Sequence, residues 1–323
     1  MDINKSLSTA ATTASHKDPA RAGVGTTAFG AALGRALASR THYQPPLVRD
    51  PVACKLFGIR TRPRGVPMVF CVLFTLWCWM PLTWPLFYVA KLLSKDIFKV
   101  ADMIGMRTRF IDDIISEAVD KQSIAQVVIL GAGLDARACR LSCLHPTCSD
   151  TTVFEIDFRG MINAKRDIFT QVGSGSVYAD TFEGGRAVVA VATDFSGPAD
   201  WKADLLAAGF DSSEPCVWVL EGLTGYLRLN ELQVCFETLT ALSAMGSQLA
   251  ATWNGESARL SPAPWSQSIH VTCIDDPDPL LCSNGWMRRQ HMSIGAAAGV
   301  YGADKHIDAA DRSYWLSHYE MKP

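Results

Sequence analysis

Two glycines and one acid carry the most chemistry in this chain. Residues 126 to 130 (Gln-Val-Val-Ile-Leu) form a short run rich in β-branched side chains, long enough for a buried strand and too short for a helix. Gly131 and Gly133 follow at once, and without a Cβ they let the backbone turn tightly and let a ligand come close. Ala136 stands three positions after Gly133, where the dinucleotide-binding pattern accepts glycine or alanine. Further along, residues 153 to 157 (Val-Phe-Glu-Ile-Asp) read as a second strand that ends in an acid. Strand, glycine turn, helix, strand and acid is the layout of a site for a nucleoside, with the acid accepting the ribose diol. Asp157 is the better diol acceptor, and Glu155 is expected to face away from the site. On this stretch alone NAD and S-adenosylmethionine both fit, and so does a ligand-free turn.

The elements that must position these residues are read from pattern. The 323 residues suffice for one large α/β domain with additions. A net charge of -2 leaves no basic footprint, so nucleic acid is not an expected partner. Ten cysteines lie scattered and no secretory signal opens the chain, which points to free thiols in a reducing compartment. Cys139, Cys143, His145 and Cys148 cluster locally, but not at the spacing of a zinc module, and no metal is expected.

Residues 1 to 25 read as a flexible tail. Thr26 or Thr27 would cap a helix reaching about Ser39, and Pro45, Pro46 and Pro51 then enforce extended chain. Residues 66 to 90 hold no charge and four large interfacial aromatics, Trp77, Trp79, Trp84 and Tyr88. Pro81 and Pro85 would break a single helix there, and basic residues flank both sides. The segment therefore reads as a lid or a hairpin touching a membrane interface rather than as a span. Residues 107 to 120 form an amphipathic helix, with Phe110, Ile111, Ile114 and Ile115 on one face and Asp112, Asp113 and Glu117 expected on the polar one. Strands follow at 187–192, 216–220, 248–253 and 313–321, with helices at 201–208, 229–243 and 278–283 and a loop over 254–275. Alternation of this kind gives a doubly wound, mostly parallel α/β sheet.

The ordered motifs then carry a resemblance. Arg-Thr-Arg-Phe-Ile-Asp-Asp (107 to 113), Val-Ile-Leu-Gly-Ala-Gly-Leu-Asp-Ala-Arg (128 to 137), Phe-Glu-Ile-Asp-Phe (154 to 158), Thr-Asp-Phe (193 to 195) and Leu-Glu-Gly-Leu-Thr-Gly-Tyr-Leu (220 to 227) resemble the leucine carboxyl methyltransferase family, within its broad subgroup of S-adenosylmethionine-dependent methyltransferases. Stretches at 26 to 37, 49 to 53 and 280 to 286 extend the likeness over most of residues 26 to 290. The resemblance implies a Rossmann-like methyltransferase sheet under an N-terminal helical cover, with S-adenosyl-L-methionine as cofactor. It implies Gly131 and Gly133 against the methionine part and ribose, and Asp157 on the ribose hydroxyls. It places Asp194 and the Phe195 backbone on the adenine, Arg107 on the cofactor carboxylate, and Glu221 on its ammonium group. Tyr226 is the candidate for the acceptor pocket. Cys139 stands where the family commonly has an aromatic residue, and the 66 to 90 segment is more apolar than its usual counterpart.

The organisation expected is a tail over 1–25, a helical cover over 26–106, and a cofactor-binding methyltransferase domain over 107–323. The activity expected is O-methylation of a carboxylate, or a hydroxyl, on a small molecule or peptide, by a cytoplasmic protein with peripheral membrane contact through 66–90 as a further expectation. Three rivals are carried: an NAD(P)-dependent Rossmann oxidoreductase, a membrane-anchored binding protein on a relic methyltransferase fold, and a nucleic-acid methyltransferase, which the acidic balance disfavours.

Overall fold

A computed structural model describes residues 24–39, 46–57, 95–145, 149–173, 188–194, 201–260, 271–303 and 306–322. Its centre is a seven-stranded sheet of order β3-β2-β1-β4-β5-β7-β6. The strands are β1 (Gln126–Leu130), β2 (Thr152–Asp157), β3 (Val188–Ala192), β4 (Cys216–Leu220), β5 (Gln248–Asn254), β6 (Trp286–Ser293) and β7 (Tyr314–Met321). The first five pair in parallel, with Gln126 opposite both Thr152 and Cys216. β7 runs antiparallel between β5 and β6.

Every residue of β1 and β4 is buried, which is why both read as continuous apolar runs rather than as alternating ones. Their side chains still alternate between two cores. Val127, Ile129, Val217 and Val219 join Phe110, Ile111 and Ile115 of helix α3 (Lys95–Gln122) on one face. Val128, Leu130, Trp218 and Leu220 join Leu232, Phe236 and Leu239 of helix α7 (Leu229–Ala241) on the other. Burying side chains of this size stabilises the fold by about 1.5–3 kcal/mol each.

The N-terminal helices differ in detail from the sequence reading. Helix α1 (Val24–Ala38) already includes Thr26 and Thr27. Pro51 opens helix α2 (Pro51–Leu56) instead of extending the chain, because Asp50 caps it: the Ala53 N–H donates to Asp50 Oδ1 at 2.8 Å. Proline at the first helical position gives up an N–H that would have had no partner. Helix α3 starts at Lys95 rather than at 107. It meets α1 closely, since a Cβ on Gly105 would come within 2.8 Å of Ala38 Cβ, and one on Gly34 within 2.3 Å of Ile104 Cδ1. Asp112 is buried and not on the polar face.

Among the described residues, three further helices lie between β1 and β4: α4 (Arg137–Arg140), α5 (Arg159–Gln171) and α6 (Trp201–Ala207). Past β5, helix α8 (Asp278–Leu281) ends in a short turn closed by Gly285 in the left-handed region, φ +89. β6 and helix α9 (Ile294–Tyr301) went unread in the sequence. β6 exposes Arg288, Arg289 and Gln290, and a register shift between Arg288 and Gln290 breaks its alternation. Charged residues and an irregular ladder are how an edge strand resists pairing with another chain. The available signal for α9 was Ser293, whose Oγ caps it by accepting the Ala296 N–H.

Of the stretch 26–106 expected to form a cover, the described residues make up most of α1, all of α2 and the first part of α3. Residues 66–90 lie outside the described residues. Among the described residues no helix is long and apolar enough to cross a membrane.

Candidate functional site

β1 lies between β2 and β4, so the sheet order reverses beside it, and the loops after these strands part to leave a cleft at their carboxyl ends. A cleft of about 380 Å³ opens there. Arg107, Gly131, Gly133, Asp157, Glu221 and Tyr226 all line it. α1 adds Thr27, Ala28, Gly30 and Ala31 to one wall. Asp194 follows β3 and is not among the residues that line the cleft, and Phe195 lies outside the described residues.

The glycine turn needs its glycines. Gly131 and Gly133 sit at φ +64 and +48, in the left-handed region. A Cβ on Gly133 would also stand 3.2 Å from Ala28 Cβ, so the turn is pressed directly beneath α1. Arg35 of α1 fastens this contact: its Nη2 donates to the Leu134 carbonyl at 2.6 Å and its Nε to Asp50 Oδ2 at 2.8 Å.

Asp157 closes the turn from the other side. Its Oδ2 accepts the Gly133 N–H and its Oδ1 the Phe158 N–H, both at 2.7 Å. A carboxylate offers about four acceptor sites, so these two bonds leave room on each oxygen for a hydroxyl. Burial pushes the Asp157 carboxyl above its ordinary value, against the pull of those two N–H donors. Glu155 does not face away by strand alternation, because residues two apart share a face. What removes it from the site is Lys165 of α5, whose Nζ bonds Glu155 Oε2 at 2.5 Å in the interior.

Glu221, one residue past β4, is held more heavily than the sequence suggested. Its Oε1 accepts Arg107 Nε–H at 2.8 Å and the Thr108 hydroxyl at 3.0 Å, and its Oε2 accepts Arg137 Nη2 at 2.6 Å. Burial alone would raise this carboxyl; Arg137, then Arg107 and Arg35, outweigh it and hold it well below the usual carboxylate range. Arg107 also reaches the Tyr314 hydroxyl at 3.4 Å. Tyr314 in turn donates to Thr252 Oγ1, which accepts the Gly222 N–H, each at 2.8 Å. Tyr226 bonds Thr27, and burial pushes its phenol upward.

Sequence reasoning missed Arg137, Asp112 and Asp135. Arg137 is 1% exposed and bonds Asp112, Asp135 and Glu221 together. A signal was present: Asp112 stands four residues after Thr108 and three before Ile115, squarely inside the apolar stripe of α3. An acid in that position needs a buried cation. Among the described residues no group of three or more metal-ligating side chains converges, and Cys148 lies outside them. Burial pushes the Cys139 thiol up to about 12.

An open, mostly parallel sheet with a glycine turn after its first strand and an acid at the end of its second is an α/β arrangement of the Rossmann-like class. The chain belongs to the leucine carboxyl methyltransferase family, whose model, Leucine carboxyl methyltransferase, matches residues 28–240. A Mycobacterium marinum protein named "Putative S-adenosyl-L-methionine-dependent methyltransferase" is 38% identical over 234 residues, covering 71% of this chain and 63% of that protein. A Mycobacterium avium protein of the same name is 44% identical over 166 residues, 51% of this chain and 46% of its own length. This chain thus spans less than two thirds of the length of either. Among solved structures, an O-methyltransferase family protein from Burkholderia thailandensis aligns at 14% identity and a TM-score of 0.43, over 71% of this chain and 59% of that one.

Proposed function

We propose that the protein transfers a methyl group from S-adenosyl-L-methionine to a carboxylate, or a hydroxyl, of a small molecule or peptide. The observation that carries this reading is the meeting of Arg107 and Glu221 in the same cleft as the glycine turn and Asp157. One fixed cation and one fixed anion suit the carboxylate and ammonium of an amino-acid end, and the turn with its acid suits a ribose. A nicotinamide cofactor has no amino-acid end, and that rival leaves the Arg107–Glu221 pair without a role. The membrane-anchored alternative rests on 66–90, outside the described residues, and gives the cleft nothing to do.

The residues present fit the cofactor. Gly131 and Gly133 leave the backbone bare where a side chain would crowd the turn, Asp157 would take the diol, Arg107 the carboxylate, and Glu221 the ammonium. When bound, the cofactor supplies a methyl group already activated on a sulfonium. The protein's own work is then positioning, which supplies on the order of 7–11 kcal/mol in well-oriented reactions. A carboxylate acceptor is ionised at neutral pH and needs no base. A hydroxyl acceptor would need one, and the raised Tyr226 phenol would stay protonated, so it serves as a donor that orients the acceptor. The family's name and those of the mycobacterial relatives support transfer from S-adenosyl-L-methionine.

Calorimetry against S-adenosylhomocysteine and NAD tests the cofactor. Binding of the first and not the second is expected, and the reverse would install the oxidoreductase. Asp157→Ala should weaken S-adenosylhomocysteine by about 1.5–3 kcal/mol, the worth of hydrogen bonds to a charged group. The same variant gives a pH test with a definite sign. The folded pKa of Asp157 is raised, so the charged acceptor is lost at a higher pH than in an ordinary aspartate. Wild-type affinity should therefore fall as pH drops below neutral toward that value, while the Asp157→Ala profile stays flatter. Parallel profiles would remove Asp157 from the diol. Mass spectrometry of extracts incubated with isotope-labelled cofactor then addresses the acceptor.

A further inference from the structure

We infer that Arg137 is the positioning residue that makes this cleft read an amino-acid end, acting through Glu221 rather than by touching the cofactor. The inference rests on the cofactor reading above and adds to it a residue whose role is selectivity.

The geometry carries it. Arg137 is buried to 1% exposure, and its guanidinium spends every edge on a carboxylate. Nε donates to Asp112 Oδ1 at 2.8 Å, Nη2 to Glu221 Oε2 at 2.6 Å, and Nη1 to Asp135 Oδ2. Its backbone N–H adds a bond to Asp135 Oδ1 at 2.7 Å. Arg140 closes the cluster with two bonds to Asp112, at 2.6 and 2.8 Å. The three acids come from three elements: Asp112 from α3, Asp135 from the glycine turn, Glu221 from the end of β4. Arg107, the other cofactor-facing charge, stands on α3 five positions before Asp112. A single planar fork thus sets the spacing of the turn, the cation and the anion that would bracket a ligand.

The charges close as well. Arg107, Arg137 and Arg140 face Asp112, Asp135 and Glu221, three of each sign, and Arg35 beyond them is paired with Asp50. A neutral cluster accepts a zwitterion without gaining net charge, whereas an anion or a cation alone would leave a buried imbalance. Glu221 spends Oε2 on Arg137 and Oε1 on Arg107 and Thr108, so its plane is fixed from two sides before any ligand arrives. The arrangement predicts a cleft that discriminates by the amino-acid end and tolerates variation elsewhere.

The test compares two ligands that share the adenosine and differ in that end: S-adenosylhomocysteine and 5′-methylthioadenosine. Arg137→Lys keeps the charge but loses the fork. It should weaken S-adenosylhomocysteine by about tenfold or more, roughly one charge-assisted hydrogen bond, and leave methylthioadenosine within about twofold of wild type. Asp112→Asn, which leaves Arg137 and its bonds to Asp135 and Glu221, should show the same split at about threefold. It serves as the deciding variant if Arg137→Lys does not fold. Equal loss of both ligands, or loss of neither, overturns the assignment and reduces Arg137 to a structural tie. Wild-type protein that binds neither compound overturns the cofactor reading and the assignment with it. Wild type that binds both with equal affinity overturns the assignment alone.

Discussion

Glu221→Ala is expected to abolish measurable S-adenosylhomocysteine binding and to lower folding stability by about 3–5 kcal/mol, the range for removing one partner of a buried ion pair. The Glu221 side chain is 8% exposed and answers two arginines. Arg137 keeps Asp112 and Asp135 in the variant, but among the described residues Arg107 keeps only Tyr314, its hydroxyl at 3.4 Å and its ring face. The cost therefore falls on Arg107, an uncompensated cation at the cleft. Urea denaturation and calorimetry measure the two losses separately. A second observable is the acid limb of stability. The folded pKa of Glu221 is depressed, so its contribution is complete above the unfolded value of about 4.3 and is lost as pH falls below it. Wild type should lose stability more steeply than Glu221→Ala as pH drops from about 4.3 downward, and the gap between the two should narrow. Asp135, likewise depressed, loses the opposing Glu221 charge in the variant and is held lower still, which partly offsets the difference. An alanine variant as stable as wild type and equally acid-sensitive would mean the network carries no net stabilisation.

Much of this site was legible in the sequence because it is written in short, local signals. A buried strand, two glycines and a terminal acid each announce themselves within a few residues, and β1 and β4 begin and end where the apolar runs do. Asp157 was singled out as the acid that ends the second strand, Arg107 and Glu221 only through the family resemblance, and all three line one cleft. What stayed hidden depends on partners distant in sequence. Asp112 looked solvated because an acid on a helix usually is; only Arg137 and Arg140, on the next helix, make its burial tolerable. Glu221 looked like a ligand group alone, and its second role, as the anion on which Arg107 and Arg137 converge, spans 114 and 84 residues of chain. β6 was hidden for the opposite reason. An edge strand with charged side chains and a bulge has no clean period to read.

The largest purely structural effect should come from Gly255→Ala. Gly255 follows β5 directly, and its N–H donates to the Ser313 carbonyl at 2.9 Å. A Cβ there would sit 2.0 Å from the Arg312 carbonyl oxygen, and 3.0 Å from Asp275 Oδ1 and Trp315 Nε1. A flexible side chain could step aside, but a backbone carbonyl beside the β5–β7 ladder cannot, so the strand ends must separate. Overpacking of a core costs typically 1–3 kcal/mol, and a contact this short against backbone belongs at about 3 kcal/mol or above. The disturbance also has a path to the cleft: Tyr314, opposite Asn254 in the register, holds Thr252, which holds the Gly222 N–H beside Glu221. Gly299 supplies the control. It lies exposed within α9, and a Cβ there meets nothing within 4 Å. Gly299→Ala should raise stability by about 0.5–1 kcal/mol, because glycine in a helix interior gives up more backbone entropy than alanine. The same single-carbon addition thus moves the midpoint of urea denaturation in opposite directions at the two positions. Equal midpoints for the two variants would mean that the Arg312 carbonyl yields freely and that the β5–β7 joint is not the rigid seam described here.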